Sequence, residues 1–117
     1  MSNLADGHAV PTRAGEKPLT DDELRSLLKQ VPNWQIQYSS ERSLYFLTRS
    51  FEFDSYTKVL SFHTKVGELA EAEQHHPEIT TQYGSAKVCW WTHTVGGVHM
   101  NDFVLAAKCD VLFEHST

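Results

Sequence analysis

The sequence predicts an α+β fold: a four-stranded antiparallel sheet with three helices on one face, in the order α-β-β-α-β-β-α. Two observations carry the strands. Pairs of segments alternate apolar and polar residues, and a short polar turn joins the members of each pair, which favours antiparallel hairpins. A third observation carries the helices: three further segments, one before, one between and one after the hairpins, repeat apolar residues at helical spacing. The 117 residues fit one domain with a modest core.

In order, residues 1–17 are polar, carry Gly7, Pro11 and Gly15, and show no apolar period. Residues 1–18 therefore read as a disordered N-terminal tail, and residues 19–115 as a single domain. Thr20-Asp21-Asp22-Glu23 is a capping box, with Leu19 and Leu24 placed for a hydrophobic staple. Leu24, Leu27, Leu28 and Val31 give the first helix one apolar face, and Pro32 closes it. Trp34 to Tyr38 alternates as a strand, residues 39–42 turn, and residues 44–53 form the second strand, with Tyr45, Leu47, Phe51 and Phe53 on one parity.

Asp54 is the expected N-cap of the second helix. Its stripe, Val59, Phe62, His63, Val66, Leu69, Ala70 and Glu73, runs from apolar to ionisable. His63 reads as a structural, hydrogen-bonded residue of that stripe. Gly67 lies inside the helix at a cost of about 1 kcal/mol relative to alanine, and close helix packing is the expected compensation. Residues 79–83 form the third strand and Gly84-Ser85 the turn. Residues 87–93 form the fourth, with Trp90 on the core parity and Trp91 and His93 on the other. The last helix starts between His99 and Asp102. From Phe103 to Phe113 it is apolar almost all round, so it needs cover on more than one side; a second subunit is the expected cover.

Composition narrows the function. A net charge of −5 argues against non-specific nucleic-acid binding. No apolar run approaches a membrane span, and the first residues lack the apolar core of a secretory signal. The two cysteines, Cys89 and Cys109, have neither zinc-site nor disulfide-framework spacing. They read as plain buried residues, and the chain as a cytoplasmic protein.

The distinctive stretch is Glu71-Ala72-Glu73-Gln74-His75-His76-Pro77. Glu71 and His75 lie four residues apart on the helix, and Pro77 disfavours helix at His76. Two imidazoles and a carboxylate are thereby held at a helix end. Imidazole is the side chain whose ordinary pKa, about 6.5, lies nearest neutrality, so a fixed pair suits proton transfer.

With Tyr83, His93 and Asp102, these residues resemble the signature of the pterin-4a-carbinolamine dehydratases: Glu71, three spacers, His75-His76-Pro77, an aromatic, a later histidine and a later aspartate. Trp91-Thr92-His93-Thr94-Val95-Gly96-Gly97, Asn101-Asp102-Phe103 and Ala106-Ala107-Lys108 are similar to the form common outside animals. The resemblance covers residues 19–113 and rests on seven positions jointly. It implies the fold order above, dimers or tetramers, and no metal or cofactor. It also implies dehydration of 4a-hydroxytetrahydrobiopterin to the quinonoid dihydropterin, in the recycling of the pterin cofactor.

On this resemblance the expected catalytic residues are His75, His76 and His93. His75 and His93 exchange protons with substrate, and His76 positions it or stabilises developing charge. Glu71, Gln74, Thr92 and Asp102 are the expected substrate-binding residues. Two roles are open to Glu71: fixing the tautomer of His75, or accepting hydrogen bonds from the pterin amino edge. Two are open to Asp102: orienting His93, or capping the last helix. Gln74 departs from the aspartate of the animal form, and Ile79 from its aromatic. Two rival readings use the same residues. One is a non-catalytic dimeric binding or coactivator module with a vestigial site. The other is a metal-dependent hydrolase whose three histidines converge on one ion.

Overall fold

The structure, a computed structural model, describes residues 3–116. Four antiparallel strands form one sheet in the order β1-β2-β4-β3. They are β1 (Gln35–Ser39), β2 (Leu44–Glu52), β3 (Glu78–Gln82) and β4 (Ser85–Trp90). The helices are α1 (Asp21–Leu28), α2 (Tyr56–Glu73) and α3 (Met100–Glu114), giving α-β-β-α-β-β-α after an N-terminal 3-10 turn at Leu4–Asp6. Each predicted hairpin forms, and β2 pairs with β4 to join them.

Strand alternation sends Leu47 and Phe51 of β2, and Ala86, Val88 and Trp90 of β4, into one core with the helices. Phe62 of α2 and Phe103 and Leu105 of α3 complete its centre, all fully buried. The sheet's other face carries Thr48, Ser50, Lys87, Glu78 and Thr80. An ion pair is folded into the core margin. Asp110 accepts from Arg49 at 2.6 Å and from the Trp34 indole at 2.9 Å. Burial nevertheless raises the Asp110 carboxyl above its ordinary pKa, against the pull of Trp34 and Arg49.

The capping box on Thr20 and Glu23 is present. The N-cap of α2 is Ser55, not Asp54: the Ser55 hydroxyl accepts from Lys58 N–H, and Asp54 pairs with the Lys58 ammonium at 3.0 Å. Either residue type can cap, and the turn places the serine one residue nearer the first free amides. Gly67 has open space around it rather than a packed neighbour. Within this chain, close packing does not account for it.

Helix α3 is buried continuously from Asn101 to Ala107. Its cover comes from the sheet, from α2 and from residues 4–9 of the same chain. Leu4, Ala5 and Ala9 pack on the core, and Lys108 Nζ donates to Ala5 O at 2.9 Å. Much of the apolar surface that suggested a second subunit is therefore closed internally.

Candidate active site

The site is assembled where α2 ends, where β4 ends and where α3 begins. Helix α2 stops at Gln74, which takes a left-handed conformation, φ 54° and ψ 42°. Glycine is the usual residue there; Gln74 adds a bond from its own Nε2 to Glu71 O at 2.7 Å. This cap turns His75 out of the helical register. Glu71 therefore does not meet His75, four residues on. It meets His76, Oε1 to Nε2 2.5 Å, in an exposed pair.

His75 turns inward and meets Asp102, Nε2 to Oδ1 2.6 Å. Asp102 is fully buried, and its other oxygen accepts from Thr92 Oγ1 and from His99 N, each at 2.9 Å. One carboxyl group thus joins three elements. Of the two roles open to Asp102, capping is observed, in a capping box with His99. The histidine it orients is His75, not His93. The cap itself is unusual: His99 Nδ1 accepts from Asn101 N–H at 2.9 Å, so the neutral ring carries its proton on Nε2 and donates it to Glu16.

The His75 ring lies parallel to Trp90, centroids 5.6 Å apart and planes 13° from parallel. Trp90 is wholly buried, so His75 rests on a fixed platform. The indole N–H of Trp90 finds no oxygen or nitrogen acceptor and lies beside the Cys109 thiol. Burial pushes that thiol up to about 12.

His93 is not on a strand. Strand β4 ends at Trp90; Thr92 makes an isolated bridge to Gly97; and His93–Val95 is a 3-10 turn closed by Gly96 at φ 71°. His93 is exposed; its carbonyl accepts from Gly96 N–H, and its ring makes no hydrogen bond among the described residues. Parity alone carried the predicted strand past its end, because Trp91 and Thr92 continue the alternation.

His75, His76 and His93 nevertheless line one cleft of about 620 Å³, with Gln74 and Thr92. That volume is in the range of small-molecule sites. Trp91 also lines it. Glu71 reaches the rim through His76, and Asp102 lies behind His75 and Thr92. Tyr83 is 78% exposed, in the β3–β4 turn, and is not among the lining residues. His63 is a structural residue, bonded to Thr81. Among the described residues, no three or more His, Cys, Asp or Glu side chains are grouped to hold a metal ion.

Sequence reasoning missed three contributors. Trp90 was assigned to the core and also serves as platform for His75. Glu73 and Asn101 hold residues 8–10 against the cleft, where Val10 and Pro11 form part of its lining. An asparagine in a first helical turn was the one available signal.

Residues 17–112 match the model of a protein family described as pterin 4 alpha carbinolamine dehydratase. The chain belongs to that family. It is 45% identical to a protein of Chlorobium luteolum named as a candidate pterin-4-alpha-carbinolamine dehydratase, over 97% of this chain and 98% of that one. A protein of Marinobacter nauticus with the same name is 43% identical, over 97% of this chain and all of its own length. Among solved structures, a transcriptional coactivator/pterin dehydratase from Brucella melitensis is 29% identical. It superposes with a TM-score of 0.71, over 82% of this chain and 98% of its own. A pterin dehydratase-like protein identified as a RuBisCO assembly factor in the alpha-carboxysome shares the fold, with a TM-score of 0.57 and 22% identity, over 68% of this chain and 88% of its own.

Proposed function

We propose that the protein is a hydro-lyase that dehydrates 4a-hydroxytetrahydrobiopterin to quinonoid dihydropterin, in the recycling of the reduced pterin. The observation that carries this reading is the convergence of three imidazoles, two from the end of α2 and one from beyond β4, on one cleft, one of them seated on a buried carboxyl group.

The reaction breaks the C4a–O bond. A proton goes to the departing oxygen, which leaves as water. The N5 lone pair forms the new C4a=N5 bond, and the N5 proton is removed. One general acid and one general base suffice, each well-placed group contributing roughly 10²–10⁴-fold. Asp102 engages Nε2 of His75, which leaves Nδ1 for the substrate. That constraint makes His75 the better-oriented of the proton-transfer groups. His93, free at both ring nitrogens, is the second. His76, paired with Glu71 at the rim, positions the heterocycle, with Gln74 and Thr92 supplying polar contacts.

Dehydration followed by stopped flow tests the scheme. His75→Ala and His93→Ala should each lower the catalysed rate by about a hundredfold or more, toward the spontaneous rate. An unchanged rate in His93→Ala removes His93 from the reaction. A wild-type rate equal to the spontaneous one would favour a binding module that keeps a vestigial site. Assembly as a homodimer or homotetramer, and a cytoplasmic location, belong to the same reading.

A further inference from the structure

We propose that residues 8–12 are a fixed wall of the substrate site, with Val10 and Pro11 supplying apolar contact to the bound heterocycle; this rests on the cleft being a pterin site. The segment has no helix or strand of its own, yet its main chain is held at successive residues. Glu73 Oε1 accepts from Ala9 N–H at 2.8 Å, and Oε2 meets His8 Nδ1 at 2.9 Å. The Asn101 amide grips Val10 from both sides: Oδ1 accepts from Val10 N–H at 2.9 Å and Nδ2 donates to Val10 O at 2.7 Å.

Both anchors are shielded. Asn101 is 3% exposed, and the Glu73 side chain 10%. A buried carboxamide is costly unless paired, and both halves of this one are spent on a single residue of the strap. The anchors also adjoin the proton-transfer machinery in sequence. Glu73 precedes Gln74 and His75, and Asn101 precedes Asp102, the partner of His75.

The result is an apolar residue held out rather than folded in. Val10 is 57% exposed while its backbone is clamped, and it lines the same cleft as His75 and His93. A segment that only covered α3 would need Leu4, Ala5 and Ala9, which do pack on the core. It would not need Val10 aimed at the cleft. A flat bicyclic ligand whose reacting edge meets the histidines leaves a face or flank to be shielded from water. Val10 and Pro11 are the apolar groups that the strap offers for that purpose.

The test is the Val10→Ala/Pro11→Ala double variant in the full chain, with Val10→Asp as the second variant. Losing this contact should raise KM for the carbinolamine roughly fivefold to tenfold in the double variant, and more in Val10→Asp. In the double variant kcat should stay within about twofold and the melting temperature should hold, which a merely structural role would not produce. Unchanged KM in both variants overturns the proposal and leaves the dehydratase reading standing. Calorimetric titration with 7,8-dihydrobiopterin separates the two ideas. A wild type that binds it but does not speed dehydration of the carbinolamine ends the dehydratase reading, and the strap is then read from the same fivefold loss of affinity in the variants. A wild type that neither turns over nor binds ends both.

Discussion

Asp102 shows how a single buried side chain ties the candidate site to the fold. It has no contact with water, and its partners come from residues 75, 92 and 99. Replacing it by alanine would strand three groups: an imidazole nitrogen, a buried hydroxyl and a backbone N–H. We expect Asp102→Ala to lower the unfolding free energy by about 2–4 kcal/mol, measured by denaturant titration. The same variant should lose turnover as His75→Ala does, because the ring of His75 would no longer have a fixed orientation. Glu71 is a different case. Its pair with His76 is exposed on both sides and contributes little to stability.

At the scale of elements, α2 carries two departures from what its sequence suggests, and each has a physical origin. Gln74 occupies the left-handed position that ends the helix, which redirects the two histidines to different carboxylates. Helical periodicity pairs residues 71 and 75 and says nothing of a cap that uses a non-glycine residue at positive φ. Gly67 has space for a methyl group. Gly67→Ala should therefore stabilise the chain by up to about 1 kcal/mol, read as a rise in the denaturant midpoint. A fall would place a partner subunit against that face. The hairpins, by contrast, were legible throughout, since alternation and turn residues are local signals. The exception is the end of β4. There a bridge between Thr92 and Gly97 lifts His93 off the sheet.

For the whole molecule, the N-terminal segment matters most, and it was the least legible part. Its docking depends on backbone groups of Ala9 and Val10 meeting Glu73 and Asn101, and such contacts leave no periodic trace in a sequence. The hydrogen bonds from His8 and from Ala9 N–H hold the Glu73 carboxyl below its ordinary value of 4.5, with Lys108 adding a weaker pull. A depressed carboxyl contributes stability that is present above the ordinary value and lost as pH falls through the depressed one. Comparing wild type with Glu73→Gln by denaturant titration across pH should show a gap that is steady near neutrality and closes below about pH 4.5. A gap independent of pH would dissociate Glu73 from the strap. The placement of the three tryptophans has a further use. Trp34 and Trp90 are buried, while Trp91 alone borders the cleft. Intrinsic emission therefore contains a component positioned to be quenched by an occupant, so occupancy can be followed optically with no label attached.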